Sequence, residues 1–253
     1  RCMPWACMSS PDWAGQRLSR RNLLGACIAA GTATVAGCTS GSLEAETTVT
    51  REYDGTDVSE ITVQGVNGDI TIRDAQRETI QLDGKKRAAS EEDLDRITLQ
   101  ADQSDDRLSL AVESEDSGFL PLGSSPLQMD LTLTVPEGLH LTAEATNGDV
   151  DIETSEAESV TADTTNGDIT LLASAPVEIR TDTTNGDISI TLPATAEPAI
   201  SVDTTNGDTT INGFQADSTE SGSAVDRMVG NGTHRVRASS MNGDITIRGR
   251  EIN

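Results

Sequence analysis

The triplet Asn-Gly-Asp occurs six times in this chain of 253 residues. The spacings between successive copies are 80, 19, 19, 21 and 36 residues, and the triplets begin at Asn67, Asn147, Asn166, Asn185, Asn206 and Asn242. Recurrence at a near-constant period is typical of repeat architectures, in which each repeat buries its apolar face against its neighbours. The triplet therefore constrains the fold more than any other feature of the sequence.

Each triplet lies between two segments in which apolar and polar residues alternate. Around Asn166, for example, Val160 and Ala162 come before the triplet, and Ile169 and Leu171 come after it. A period of two with β-branched residues predicts strands that bury one face. Because Asn-Gly tolerates positive φ, each triplet is expected to form the bend between two strands.

Three copies, residues 162–169, 181–188 and 202–209, are nearly identical. Identical residues at identical offsets favour coils that stack in parallel. The sequence therefore predicts an all-β fold, a single-domain parallel β-solenoid with about 20 residues per coil. Asn-Gly between alternating strands is also the signature of a β-hairpin, so a meander or a sandwich is the alternative fold.

The two long spacings have different explanations. The 36-residue step from Asn206 to Asn242 is close to two coils, and residues 230–232 are expected to supply the missing bend. The 80-residue step holds an insertion with one short helix, which a capping box from Ser90 to Asp93 would open. Three further strands are expected in this insertion, at residues 97–101, 107–113 and 128–135.

The N-terminal region predicts export. Arg20 and Arg21 precede an apolar run of 15 residues, 23–37, which is too short to span a membrane comfortably and ends at Cys38. This pattern is typical of a twin-arginine export signal joined to a lipobox, in which Cys38 is lipidated and becomes the first residue of the mature protein. Cys27 also fits a lipobox, but it lies too close to the arginines to leave an apolar core between them. An uncleaved membrane anchor is the alternative.

These patterns divide the chain into three parts. Residues 1–37 form the signal region, residues 38–48 a polar tether, and residues 49–253 the β-solenoid domain. The protein is therefore expected to be exported and to be held by a lipid on the outer face of the cytoplasmic membrane. Its partners would then be the membrane, through that anchor, and other components of the cell surface.

The charge balance excludes one class of partner. The chain has 18 Lys and Arg residues against 42 Asp and Glu residues, a formal net charge of −24. Binding of nucleic acid needs clustered cations, so this class is excluded. The acid excess, with Lys85 and Lys86 as the only lysines, resembles the proteins of salt-loving archaea. At about 1 M salt the Debye length of about 3 Å would screen the repulsion.

Stacked coils would align equivalent acidic residues in two files. The outer acidic file lies three residues before the triplets, about 4.8 Å from coil to coil, and consists of Asp163, Asp182 and Asp203. The bend file consists of Asp149, Asp168, Asp187 and Asp208, and Asp69 and Asp244 extend it. The bend file has two interpretations: the carboxylates accept backbone N–H groups at the bends, or they form a cation ladder for Ca²⁺, Na⁺ or K⁺.

The sequence gives little support for catalysis. His140 and His234 are the only histidines, and there is no nucleophile elbow, Cys–His pair, Cys/His metal spacing or phosphate-binding loop. No cofactor is expected other than Ca²⁺. Polysaccharide-cleaving enzymes with parallel β-helices are the less favoured alternative, since they use aromatic platforms that this chain lacks. Asn231, in Asn-Gly-Thr, is an expected glycosylation acceptor.

The recurring strand followed by Thr-x-Asn-Gly-Asp-Ile-x-Ile, over residues 49–250, resembles an adhesin-type domain family of unknown function in bacteria and archaea. The resemblance implies a right-handed parallel β-helix, surface exposure and no assigned catalytic residues. We therefore expect a non-enzymatic surface module that binds a surface polysaccharide or protein. A passive envelope spacer and an envelope sensor are the alternatives.

Overall fold

The computed structural model describes residues 43–114, 127–214 and 220–251, together with a two-residue strand at 29–30. The period-two segments form strands, as the sequence predicts. In chain order these are β1 (Ala29–Ala30), β2 (Ala45–Asp54), β3 (Glu60–Asn67), β4 (Ile70–Ala75), β5 (Thr79–Ala88), β6 (Ile97–Ser104), β7 (Arg107–Ser114), β8 (Gln128–Pro136), β9 (His140–Asn147), β10 (Val150–Thr154), β11 (Ser159–Asn166), β12 (Ile169–Ala173), β13 (Glu178–Asn185), β14 (Ile188–Pro193), β15 (Pro198–Asn206), β16 (Thr209–Asn212), β17 (Glu220–Gly222), β18 (Ala224–Met228), β19 (His234–Asn242) and β20 (Ile245–Arg250).

These strands form two sheets. The first sheet has the order β1-β2-β5-β8-β4-β10-β12-β14-β20-β16-β17, and the second has the order β18-β15-β19-β13-β11-β9-β3-β7-β6. Each Asn-Gly-Asp triplet joins a strand of the second sheet to the next strand of the chain in the first sheet. The triplets are therefore the bends that the sequence predicts.

The all-β prediction is confirmed, and the sheets are mixed. Strands that flank the triplets pair in parallel, for example β9 with β11 and β11 with β13. Antiparallel pairs occur toward the ends, where β2 pairs with β5, β6 with β7, and β15 with β18. The antiparallel pairs involve β2, which precedes the first triplet, the insertion between the first two triplets, and the segment before the last triplet.

The last coil, β19 and β20, corrects the prediction for the 36-residue step. β19 pairs in parallel with both β13 and β15, and β20 pairs in parallel with both β14 and β16. The spatial order of the triplets is therefore Asn67, Asn147, Asn166, Asn185, Asn242, Asn206. Residues 230–232 do not add a bend to this stack, because they form the turn that leads into β19.

The inward-facing side chains of both sheets form one buried cluster. Residues in register continue each other from coil to coil: Leu141, Val160, Ile179 and Val236 follow one another through the second sheet, all at most 2% exposed. Each fully buried aliphatic side chain of this kind contributes about 1.5–3 kcal/mol. Narrow coils leave room for Val, Ile and Leu rather than for aromatic rings, which explains the composition.

The insertion contains the helix that its capping box predicts. The helix α1 spans Glu91–Leu94, and the Ser90 hydroxyl accepts the backbone N–H of Asp93 at 3.2 Å. Leu94 is buried and anchors this turn against the core. The three strands that were expected in the insertion are also present, as β6, β7 and β8.

The first long strand begins inside the segment that was expected to be a tether. β2 starts at Ala45, four residues before position 49, and pairs antiparallel with β5 from Ala45 to Asp54. The carboxylate of Glu46 forms ion pairs with Lys85 at 2.9 Å and with Arg87 at 3.8 Å. Cross-strand charge pairing therefore extends the strand into a segment with few apolar residues.

Candidate functional site

The six bends stack so that each asparagine side chain bonds to the next. The Nδ2 of Asn147 donates to the Oδ1 of Asn67 at 2.9 Å, and the Nδ2 of Asn166 donates to the Oδ1 of Asn147 at 2.8 Å. The same bond recurs from Asn185 to Asn166, from Asn242 to Asn185 and from Asn206 to Asn242, at 2.8–2.9 Å. All amides point in one direction. An Asn inside the ladder donates to one neighbour through Nδ2 and accepts from the other through Oδ1, so the ladder needs an amide side chain at every bend.

The glycines of the triplets allow the coils to approach closely. A Cβ on Gly167 would lie 2.0 Å from the carbonyl oxygen of Gly148, which no relaxation of a side chain could relieve. The equivalent clash at Gly186, with Gly167, would be 1.9 Å. The same glycine carbonyls also accept hydrogen bonds from inward-facing threonine hydroxyls: Thr164 Oγ1 donates to the Gly148 carbonyl at 3.1 Å. Close stacking thus accounts for Thr and Gly in the repeat.

The aspartates of the bend file also bond from coil to coil. The Oδ1 of Asp149 accepts the backbone N–H of Asp168 at 2.8 Å, and the Oδ1 of Asp168 accepts that of Asp187 at 2.8 Å. Asp69 extends the file at one end by accepting the N–H of Asp149 at 3.0 Å. Toward the other end, Asp244 lies between Asp187 and Asp208, and its carboxylate accepts the backbone N–H of Asp208 at 2.8 Å.

These bonds favour the bend interpretation over the cation ladder. One oxygen of each bonded carboxylate already faces an N–H donor of the next coil, which satisfies the negative charge locally. Among residues 43–114, 127–214 and 220–251, no group of three or more His, Cys, Asp or Glu side chains could hold a metal ion. The bonded carboxylates of the bend file join neighbouring coils.

The outer acidic file differs from its prediction. Asp163 and Asp182 are in register on β11 and β13, but Ser239 of β19 lies between Asp182 and Asp203. On the other side, Glu144 is in register with Asp163. The file therefore runs Gln64, Glu144, Asp163, Asp182, Ser239, Asp203. Insertion of the last coil separates two acids that the sequence placed next to each other.

Three acids, Glu144, Asp163 and Asp182, follow one another in this file, and their proximity affects the pKa of the middle one. Burial first, and then the neighbouring carboxylates of Asp182 and Glu144, raise the pKa of Asp163 to about 6 against the opposing effect of Arg180. The Arg180 guanidinium forms an ion pair of 2.5 Å with Asp182. Gln64 donates to the Glu144 carboxylate at 2.8 Å.

A groove of about 560 Å³ runs over this file on the outer face of the second sheet. Its floor carries Gln64, Glu144, Asp163 and Asp182, and the end of β7 contributes Ala111, Val112 and Glu113. The groove forms because β7 pairs with β3 only as far as Ala111. We call this region, Glu113, Glu144, Asp163 and Asp182, the acidic groove.

The other predicted residues have separate positions. Arg20, Arg21 and Cys38 lie outside the described residues. His140 is exposed, and its Nδ1 lies 2.8 Å from the Ser159 hydroxyl. Asn231 is exposed in the turn before β19.

Sequence reasoning missed the charge of the last coil. Residues 234–250 contain four arginines, Arg235, Arg237, Arg248 and Arg250, and a single acid, Asp244. This coil is therefore basic in a chain whose net charge is −24, and it lies between two coils that each carry more acids than bases. Counting charge coil by coil would have found it. Attraction between unlike coils gives a physical reason for the insertion.

The sequence profile of Toastrack DUF4097 matches residues 58–174 and 144–248. The two matches overlap and together cover most of the chain, as expected for a repeated unit. The chain belongs to the Toastrack DUF4097 family. No curated protein matches this Toastrack sequence.

Solved structures with a related fold come from bacteria. A proposed cell adhesion protein from Clostridium sporogenes is 14% identical, with a TM-score of 0.56 over 79% of this Toastrack chain and 99% of that chain. A proposed adhesin from Bacteroides fragilis (13% identity, TM-score 0.36) and a proposed lipid-binding protein from Parabacteroides distasonis (12%, 0.27) each cover 79% of this chain and 96% of their own. The first of these likenesses supports the fold.

Within the described part of the Toastrack chain, no helix has the length and apolar character needed to cross a membrane.

Proposed function

We propose that this Toastrack protein is an exported, lipid-anchored module of the cell surface that binds surface components without catalysing a reaction. The observation that carries the proposal is the acidic groove, which lies on the outer face of a stack whose bends are locked by side-chain bonds. A rigid scaffold with an open polar groove suits recognition of an extended ligand. The C. sporogenes neighbour, a proposed cell adhesion protein, supports the same role.

The anchoring part of the proposal rests on Arg20, Arg21 and Cys38. Replacement of Arg20 and Arg21 by lysine is expected to trap the precursor in the cytoplasm, because the paired arginines form the export signal. Cys38→Ser is expected to release the protein into the medium, because no lipid is attached. Cell fractionation with immunoblotting measures both. An unchanged location of both variants would contradict lipid anchoring.

The winding is also part of the proposal. We infer that the coils wind in a right-handed sense with about 20 residues in a full turn, since right-handed crossovers between parallel strands prevail in proteins. The parallel registers of β10, β12 and β14 support this, because residues 19 positions apart pair with each other.

The ligand class that suits the acidic groove is a surface polysaccharide or a protein segment that offers hydroxyl, amide or cationic groups to carboxylates. Binding is tested with a glycan array and with adhesion assays of cells that carry the deletion. Glu144→Gln with Asp163→Asn is expected to weaken binding. The matched control is Asp151→Asn with Glu153→Gln, which removes two acids from the outer face of the first sheet. Equal adhesion of the deletion strain and the wild type would overturn the binding role.

A passive envelope spacer is the second candidate, and the asparagine ladder favours it because the ladder stiffens the stack along its length. A spacer needs length rather than a particular surface. Substitutions in the acidic groove would then leave the phenotype of the cell unchanged, whereas deletion of whole coils would alter it.

Asn231 completes the proposal as a glycosylation acceptor. Its side chain is exposed in a turn, and the Glu197 carboxylate holds its backbone N–H at 3.1 Å. Intact-mass measurement of the protein from its native host, with Asn231→Gln as the control, tests the modification. An unmodified mass in the wild type would contradict it.

A further inference from the structure

The described residues expose two large apolar side chains, Met228 and Met241, at 70% and 54%. Both side chains point outward from the second sheet near its β18 edge, and Met228 is in register with Arg235, six residues before Met241 along β19. Met241 is on β19, and Met228 is on β18, two strands away. Methionine adapts its shape to a partner and is enriched in protein interfaces, so two exposed methionines on one face indicate a protein contact.

Two exposed arginines lie between these methionines. Arg235 and Arg237 alternate outward along β19, in line with Met241. Within the described residues, neither guanidinium has an ion pair or a side-chain hydrogen bond. The adjacent Arg180, in register with Arg237, is already paired with Asp182. We call Arg235, Arg237, Met241 and Met228 the arginine–methionine patch.

The acidic groove lies on the same face of the same sheet. Asp163 is on β11 and Arg237 is on β19, with only β13 between them, so about 10 Å separates their strands. One face thus carries a basic, apolar region and an acidic, concave region side by side. A surface of this kind is complementary to itself.

We propose that the outer face of the second sheet is a self-association interface, in which the arginine–methionine patch of one copy docks on the acidic groove of a second copy. A two-fold axis above β13 lets both contacts form at once and closes the assembly as a dimer. At that axis the Arg180–Asp182 ion pair neutralises its own charges. The proposal concerns the domain itself and does not depend on lipid anchoring.

A second copy fits the patch better than an anionic polymer does. Around the arginines, the acids Glu178 on β13, Asp203 on β15 and Asp226 on β18 repel an extended polyanion. Another copy presents the groove acids Glu144 and Asp163 to the arginines. Arginine and methionine are both enriched in protein interfaces.

The expected association is weak and sensitive to salt. The contact is centred on β13 and covers five strands, β15 to β9. At about 4.8 Å between strands and about 3.3 Å for each of seven residues, the footprint is about 550 Å² per copy. This is the low end of specific interfaces. Contacts between exposed charges weaken as salt shortens the Debye length.

Sedimentation velocity tests the proposal with the full chain carrying Cys38→Ser, at low and at molar NaCl, with circular dichroism to verify folding. We expect a concentration-dependent dimer at low salt that dissociates at high salt. Arg235→Glu with Arg237→Glu is expected to weaken the dimer at least tenfold. The matched control, Arg248→Glu with Arg250→Glu, makes the same charge change on the same coil but on the other sheet, and it is expected to dimerise like the wild type.

A charge-swap mixture completes the test. Glu144→Arg with Asp163→Arg is expected to remain monomeric alone, and an equimolar mixture with the Arg235→Glu/Arg237→Glu variant is expected to form a heterodimer. A folded wild-type protein that stays monomeric at every concentration would overturn the proposal. So would an equal loss in the matched control, a mixture that stays monomeric, or a monomer whose arginine–methionine patch binds polyphosphate. None of these results bears on export or anchoring.

Discussion

The carboxylate of Asp187 accepts the backbone N–H of Asp244 at 2.7 Å, although 57 residues separate them in the chain. Asp244 in turn accepts the N–H of Asp208 at 2.8 Å. The last coil is therefore held on both sides by the bond that holds every other coil. Its insertion needs no special contact, because each Asn-Gly-Asp bend is complementary to any other.

Gly167→Ala is expected to lower the free energy of unfolding by about 3 kcal/mol or more, because its Cβ would meet the Gly148 carbonyl oxygen at 2.0 Å and force two coils apart. Urea unfolding measures the change. Gly138→Ala is the control, since Gly138 also has positive φ (79°) but has no atom within 4 Å of an added Cβ. A similar loss in both variants would show that backbone conformation, rather than coil spacing, demands glycine.

Asn166→Ala is expected to cost about 1–2 kcal/mol, because it removes two side-chain amide bonds from the middle of the ladder. Asn206 stands at the end of the ladder, where it donates to Asn242, so Asn206→Ala is expected to cost about half as much. Thermal and urea unfolding of both variants compare the two positions. If the end position cost more than the middle one, the ladder would not be the source of the stability.

Ser239→Asp is expected to destabilise the protein by about 1 kcal/mol at low salt, because it restores an acid between Asp182 and Asp203. Molar salt should remove most of this loss. Ser239→Asn has nearly the same shape without the charge and serves as the control. Equal losses in the two variants, or a loss that salt does not change, would contradict an electrostatic origin for the order of the coils.

Asp163→Asn is expected to stabilise the protein at pH 7–8 and to change little at pH 4. The native pKa of about 6 exceeds that of an unfolded aspartate, so between about pH 4 and pH 6 the native state keeps a proton that the unfolded chain has lost, and above pH 6 the native state carries a disfavoured charge. The stability from this group is therefore present at low pH and lost as the pH rises through 6. Because Asp163 is partly exposed, the gain is on the order of 1 kcal/mol.

Urea unfolding of Asp163→Asn at pH 4 and pH 7 measures this effect. Asp203→Asn, at the exposed end of the same file, is the control, and it is expected to leave the free energy of unfolding unchanged. A larger gain at pH 4 than at pH 7 would reverse the expected sign and show that the Asp163 carboxylate is stabilised in the native state.

Sodium chloride is expected to raise the melting temperature, because the net charge of −24 repels itself in dilute buffer. Calcium chloride at matched ionic strength should give no additional increase, because the bend carboxylates bond to backbone N–H groups. Differential scanning calorimetry with and without EDTA measures both effects. A lower melting temperature in EDTA would indicate specific cation sites.

The repeat predicts much of this molecule. The bend at each triplet, the strands on both sides and the helix after Ser90 follow from period-two alternation, Asn-Gly chemistry and a capping box, all of which act over a few residues. The outward direction of Asp163 and Asp182 follows from the same alternation. These features are local, so the sequence contains their causes directly.

The order of the coils is not local. Asn206 and Asn242 offer Asn185 the same side-chain bonds, so the motif alone does not decide which of the two lies next to it. The basic charge of residues 234–250 and the antiparallel pairing of β18 with β15 favour the observed order. The acidic groove was equally hidden, because it depends on where β7 separates from β3.

The position of the last coil also sets the timing of assembly. Residues 198–212 leave the ribosome before residues 234–250, yet their final place lies on the far side of that later segment. Residues 198–212 therefore cannot reach their native neighbours until residues 234–250 have also been synthesised.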